Sequence, residues 1–334
     1  MNLVKKIYNH GINESLYLFS IKINDYLQRR RSFAKKYEFD NRQNKYLNLL
    51  LIVAGFQPAY WDEVFSRVDL GKKEFSEGLD ICICVPEGLT EYREILKRKA
   101  QSLGWSFLYI PKDLLSQAQN TAIKLHPMAR WIYKIDEDIL ISSHYFSRLK
   151  KAYIKADNTT FYKVGFIGPL ININGYCTPI FLKSIDSYEE YVNKFGEYKI
   201  DGLNDFETNL IHKDPNVATF IWSKSIPFDE VSSNVYIRNE GKYSICPVRF
   251  SIGAILFSRS YWERIGTFKV GRIGSMGVEE EQVCAYGINT FYPIYVAEDV
   301  LVGHLGFYTQ KKACEEFYLK NYEQIRQRRI VETI

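Results

Sequence analysis

Four unbroken apolar runs, each followed by a helical stretch, constrain this chain more than any other feature of its sequence. Residues 47–54, 79–85, 105–110 and 131–135 read as strands, and residues 58–68, 90–103, 112–125 and 145–156 as the helices that follow them. A strand with one wet face alternates apolar and polar side chains. These runs do not alternate, so both of their faces must be covered. Buried strands separated by helices form a mostly parallel sheet with helices on both faces, and the expected fold class is α/β. Gly55, Pro86-Glu87-Gly88, Gly104 and Pro127 supply the stops between elements.

The pattern loosens beyond residue 156. Residues 164–170 read as a strand, followed by Asn172-Ile173-Asn174-Gly175. Residues 180–242 mix helix-like and polar stretches and are expected to be an insertion or loop region near the substrate. Order returns with a strand at 251–257, a short helix at 260–266, a helix opening at Gly277, a strand at 293–302 that runs on to His304, and a helical tail at 309–329 that is basic at its end. This organisation predicts a basic helical extension (1–45), one catalytic domain (46–308, with halves of about 46–142 and 143–308) and a C-terminal basic helix (309–334).

The charge is unevenly spread. Residues 1–46 hold ten Lys and Arg against four Asp and Glu, so of the chain's net +5 this segment carries +6 and the remainder −1. A nucleic-acid enzyme needs a basic stripe across its catalytic domain, which this distribution does not supply. A basic head on a near-neutral body suits contact with an anionic membrane. Within that head, residues 12–30 read as an amphipathic helix with Ile12, Leu16, Phe19, Ile23, Tyr26 and Leu27 at helical spacing, ending in Arg29-Arg30-Arg31. Such a helix lies on a membrane surface or packs on the catalytic domain or a partner subunit. Met1-Asn2-Leu3-Val4-Lys5-Lys6 leads into polar residues and not into the apolar core of a signal peptide, and no apolar run approaches the ~20 residues of a bilayer span. The six cysteines show no CxxC pair and read as buried thiols of a reducing compartment. The expected location is the cytoplasm, with peripheral contact on the inner face of the membrane.

The fourth strand drives into Asp136-Glu137-Asp138 before an apolar run resumes at Ile139. Asp136 and Asp138 fall on one side of the backbone if the strand continues, or on one turn if it ends there. In a parallel sheet, ligands bind at the carboxyl ends of strands. Two hard oxygen ligands at such an end suit Mg²⁺ or Mn²⁺ carrying a diphosphate, and no Cys/His cluster lies nearby to favour Zn²⁺. Acidic triplets on solvated loops do nothing of the kind, but apolar residues flank this one on both sides. Ala54, Gly55 and Phe56 at the end of the first strand, Glu87 after the second, and Asp136 and Glu137 at the end of the fourth are candidates for holding a nucleotide. Asn120, a poor helix-interior residue, either faces that ligand or is an exposed polar position.

Glu279-Glu280-Glu281 opens a helix, where the dipole favours carboxylates. Burial of any one of them would raise its pKa, which is how a general base is made. His304 follows a strand and is flanked by Gly303 and Gly306, which allow close backbone approach. It reads either as a hydrogen-bonded structural residue or as the ligand completing a metal shell.

In this order the parts resemble the GT-A class of nucleotide-sugar glycosyltransferases, nearest in layout to glycosyltransferase family two of the bacterial surface-polysaccharide type, over residues 47–308. Residues 117–123 look like that family's Ala-Arg-Asn-x-Gly-Ile segment, 133–139 its Asp-x-Asp strand, 253–266 its acceptor-side strand and helix, 277–284 its Gly-x-Glu-Asp segment, and 302–304 its late metal-binding His. The resemblance implies a GT-A-like, Rossmann-like fold with Asp136, Asp138 and His304 on the metal and Glu280 as base. It further implies a uridine diphosphate sugar as donor and a saccharide or lipid-linked saccharide as acceptor, transferred with inversion in the synthesis of a lipopolysaccharide, capsule or similar surface polymer. The chain departs from the family pattern at Ala54-Gly55-Phe56-Gln57-Pro58, at Gln119 in place of the arginine, and at the three glutamates, which leave Glu279 and Glu281 as alternative bases.

Two other classes use the same residues. A phosphatase or nucleotidyltransferase would put Asp136 and Asp138 on a different phosphate chemistry, although Leu140 stands where a haloacid-dehalogenase-type phosphatase has Thr and no Gly-rich phosphate loop is present. A non-catalytic carbohydrate-binding protein would keep the fold alone.

Overall fold

The computed structural model describes residues 30–87, 90–112, 114–199, 210–271, 277–306 and 308–326, together with residues 16, 17, 19, 20, 23 and 26–28. The described strands are β1 (Glu38–Asp40), β2 (Asn48–Val53), β3 (Asp80–Pro86), β4 (Ser106–Ile110), β5 (Trp131–Asp136), β6 (Ile139–Ile141), β7 (Phe166–Ile171), β8 (Tyr243–Cys246), β9 (Ala254–Ser258) and β10 (Ile294–His304). They join in one sheet in the order β1-β4-β3-β2-β5-β9-β7-β10-β6, with β8 also paired to β10. Strands β2, β3, β4, β5, β7 and β10 run one way and β1, β6, β8 and β9 the other, so the α/β sheet is mostly parallel.

The four runs that open the domain form the parallel half, β4-β3-β2-β5. Leu49, Leu50, Leu51 and Ile52 of β2 are fully buried on both faces, as a run without alternation requires. Each such side chain contributes on the order of 1.5–3 kcal/mol when removed from water. The helices Trp61–Glu74, Thr90–Leu103 and Leu115–Leu125 supply the cover between these strands. Beyond β5 the sheet turns mixed, because β9 inserts antiparallel between β5 and β7.

Three expectations change. Residues 38–40, grouped by sequence with the basic extension, form edge strand β1, with Phe39 opposite Leu108. Behind it the Asp80 carboxylate accepts from the backbone of Asn44 at 2.6 Å and Tyr46 at 2.9 Å, which ties this segment to the domain. Residues 180–242 are largely helical where described, not loop: Tyr188–Phe195, Leu210–Lys213, Pro215–Lys224 and Phe228–Asn239 build a layer packed against β7 and β10 and against the C-terminal helices. Where described, the tail is two short helices, Lys311–Lys320 and Tyr322–Ile325. Residues 327–334 of the expected C-terminal basic helix lie outside the described residues, as do residues 1–15. Among the described residues no helix is long and apolar enough to cross a membrane, and all six cysteines are free and buried.

Arg67 binds the layers together. Its buried guanidinium donates to Glu63 at 2.7 Å, to Asp229 at 2.8 Å, and to the carbonyls of Ile141 at 3.1 Å and Ile325 at 2.6 Å. One side chain thus joins two helices, the end of β6 and the C-terminal segment. A buried charge left short of a partner is costly, so Asp229→Ala is expected to destabilise the fold by ~3 kcal/mol or more. Asp69→Ala, which removes the exposed pair with Lys73, is expected to cost below ~1 kcal/mol. Urea unfolding of the two variants beside the parent checks the contrast; equal midpoints would refute it.

Candidate active site

Strand β5 ends at Asp136, and the chain turns through Glu137 and Asp138 into β6. Strand β6 does not return beside β5. It pairs antiparallel with β10 across the sheet, with Ile139 opposite His304. The acidic turn is therefore stretched over the carboxyl edge of the sheet. Glu137 N donates to Val53 O at the end of β2 (3.1 Å), and Leu305 N after β10 donates to Asp138 O (3.0 Å).

This geometry brings Asp138 and His304 together, with Nε2 3.6 Å from Oδ2. Gln57 Nε2 donates to the same Oδ2 at 2.9 Å. The other carboxylate oxygen, Oδ1, is buried with no hydrogen-bond partner. Burial alone would raise the Asp138 carboxyl, but His304 and Gln57 hold it below its ordinary value. Burial alone would lower the His304 imidazole; Asp138, and then Asp136, lift it above 6.5. Asp136 sits on the strand end with about a third of its side chain open, 36%, and pairs with the buried Lys134 at 2.7 Å. Burial among acids pushes its carboxyl up to about 6 against the pull of Lys134, a shift tempered by that open surface.

The glycines beside His304 now have partners. A Cβ on Gly303 would stand 2.4 Å from Trp222, and one on Gly306 would stand 2.2 Å from Asp138 Oδ2. Trp222 Nε1 donates to the His304 carbonyl (3.0 Å), and the Asn172 side-chain oxygen accepts from His304 N (2.9 Å). The helical layer at 215–224 thus positions the histidine. Gln57, Lys134, Asn172 and Trp222 were not singled out in the sequence. Only Asn172, in an Asn-Ile-Asn-Gly segment after a strand, carried a local signal.

Several candidates serve the scaffold instead. The Glu137 carboxylate is buried and accepts from Gly55 N (2.9 Å), Phe56 N (2.9 Å) and Trp61 Nε1 (2.5 Å). It holds the β2 loop, and burial outweighs those bonds to push its carboxyl up to about 7. The amides of Gly55 and Phe56 are spent on it, while Ala54 is fully buried and donates to Cys84 O. Of that segment only the Phe56 side chain, 46% exposed, remains open to a ligand. Asn120 is not an exposed polar position. It is fully buried and clips residues 262–268, donating to Phe268 O (2.8 Å) and accepting from Phe268 N (3.0 Å) and Trp262 Nε1 (2.9 Å). Glu87 has an exposed side chain at the end of β3 on a left-handed residue, φ 49°.

The three glutamates separate by environment. Glu279 is buried and accepts from Ser116 Oγ at 3.0 Å. Glu281 is exposed. Glu280 is half-buried, pairs with Arg249 at 2.7 Å and accepts from Ile252 N at 3.2 Å. Ile252 O accepts from Lys134 Nζ, and Gly253 O accepts from Asp136 N. Glu280 and Asp136 are therefore held on the same short segment leading into β9.

Among the described residues no three His, Cys, Asp or Glu side chains converge closely enough to hold a metal ion on their own. A cation shared with a diphosphate needs only one or two protein ligands, the rest coming from phosphate and water. The unpartnered Asp138 Oδ1, the nearby Asp136 carboxylate and the His304 ring fit such an ion.

No family model and no curated protein sequence matches the chain. Solved structures of similar shape include a mannosyltransferase from Pyrobaculum calidifontis, PcManGT, in complex with GDP-Man and Mn²⁺ (12% identity, TM-score 0.43, covering 86% of this chain). Another is GalNAc-T7 with UDP, GalNAc and Mn²⁺ (10% identity, TM-score 0.45, covering 84% of this chain). This chain spans 65% and 52% of the lengths of those two chains.

The Asp138–His304 pair makes stability depend on pH in a definite sense. Because the folded imidazole is raised above 6.5, its contribution is complete below that value and disappears as pH rises through the raised one. Thermal unfolding in chelator is expected to show His304→Ala losing more stability at about pH 6 than at about pH 8.5. A larger loss at the higher pH would contradict the pairing. Asn120→Ala is expected to cost ~1–3 kcal/mol through its unpaired partners without changing nucleotide affinity.

Proposed function

We propose that this chain is a metal-dependent glycosyltransferase that moves a sugar from a nucleotide diphosphate sugar, uridine-linked by the family resemblance, to a hydroxyl of a saccharide or lipid-linked saccharide. The observation that carries the reading is the buried, unpartnered Oδ1 of Asp138 at the carboxyl edge of a mostly parallel sheet, with Asp136 and His304 beside it. A carboxylate oxygen is kept out of water without a hydrogen bond only at a cost of ~1–3 kcal/mol, which a ligand would offset.

Asp138, Asp136 and His304 would hold Mn²⁺ or Mg²⁺. When bound, that ion supplies positive charge to the diphosphate as it leaves. Gln57 occupies one oxygen of Asp138 and leaves the other open to the ligand. Phe56 and Glu87 lie at neighbouring strand ends, where the nucleotide would lie. Glu280 serves as the base. It takes the proton of the acceptor hydroxyl as that oxygen attacks the anomeric carbon, and the bond to the diphosphate breaks with inversion. Arg249, paired with it, opposes its charge and orients the carboxylate. The reading places the enzyme in cell-surface polysaccharide synthesis.

Asp138→Ala is expected to abolish Mn²⁺-dependent binding of nucleotide sugars in a thermal-shift panel, together with turnover. Glu280→Gln is expected to lose ~10²–10⁴ in rate while still binding the donor. Retained metal-dependent binding in the first variant, or full turnover in the second, would remove the assignment concerned.

A further inference from the structure

Helical residues near the N-terminus present an apolar stripe that no described residue covers. Every described position between residues 16 and 31 is helical. Leu16, Phe19, Ile23 and Leu27 recur every three or four residues and so lie on one face. With Tyr17 and Tyr26 they are between 42% and 65% exposed. The helix is nevertheless fixed to the domain at its base. Gln117 Nε2 donates to Arg31 O (2.7 Å), Ala34 N donates to Thr121 Oγ1 (2.9 Å), and Thr267 Oγ1 meets Ser32 Oγ (2.9 Å). Phe33 packs edge-on to Trp262 at 6.3 Å, under Lys124. The exposed stripe is thus held out by an anchored base.

We infer that this stripe, with the basic cluster at its base, docks the protein on an anionic lipid surface. Charge selects the occupant. Residues 1–46 carry net +6, and Arg30, Arg31, Lys35 and Lys36 lie at the anchored end. Cations near an anionic leaflet are attracted to it, and an apolar helical face beside them buries into the headgroup boundary. A parallel pairing of two copies would set those clusters against each other, which like charges oppose. The three aromatic rings on the helix, Tyr17, Phe19 and Tyr26, suit an interface that is apolar on one side and wet on the other. Because Gln117 and Thr121 belong to the same helix as Ser116, which contacts Glu279, docking would set the orientation of the catalytic edge to the membrane. The inference does not depend on the chemistry proposed for that edge.

Co-sedimentation of the full chain with phosphatidylcholine vesicles containing ~30% phosphatidylglycerol tests it. Binding is expected to fall roughly tenfold or more in Phe19→Asp/Ile23→Asp, in Arg30→Glu/Arg31→Glu, and when salt rises from about 0.1 M to about 0.5 M. Melting temperatures of the variants, whose changed side chains lie outside the core, are expected to stay at the parent value. Absence of binding by the parent chain, or binding unchanged in both variants, would overturn the inference. So would a dimer by light scattering that Phe19→Asp/Ile23→Asp converts to monomer while no vesicle binding is seen; that result would assign the stripe to a second copy.

Discussion

The pairing of Ile139 with His304 across β6 and β10 is the contact on which the candidate site depends. An acidic turn at the end of β5 could have closed into a hairpin with its neighbour. Here the chain crosses the sheet edge instead and lands on β10. The crossing stretches Asp136-Glu137-Asp138 over the ends of the parallel strands and seats Asp138 beside the imidazole. Gly306 allows the approach, since any side chain there would collide with the carboxylate.

That arrangement places several polar groups out of water, and distant parts of the chain satisfy many of them. Glu137 is taken up by two backbone amides and an indole, Asn120 by the backbone and ring of residues 262–268, and Arg67 by two carboxylates and two carbonyls. Asp138 Oδ1 is among the buried side-chain oxygens left without a partner, and as a carboxylate oxygen in a low-dielectric interior it is costly to leave so. At Asp138 the deficit lies where a ligand could make it good.

The parallel half of the sheet was legible because its cause is local. Leu49–Ile52 cannot show either face to water, so cover on both sides follows from the residues themselves. Asp136, Asp138 and His304 were legible for a related reason: each interrupts or ends an apolar run, where a strand must stop. The scaffold contacts of Glu137 and Asn120 were not legible because their partners are remote. Nothing near Glu137 points to Trp61, and nothing near Asn120 points to Phe268. The three strands that went unseen, β1, β6 and β8, are only three or four residues long, too short to express a period.

By itself the sequence determined an α/β domain with acids delivered to a strand end, a basic N-terminal head and a distinct acidic helix start. Only the tertiary structure decided that β9 runs antiparallel, since a strand buried on both faces has the same pattern in either direction. It also decided which of three glutamates is buried, which is paired with arginine and which faces solvent. Residue type sets what a side chain can do. Its neighbours, brought in from distant parts of the chain, set whether it holds the scaffold or meets a ligand.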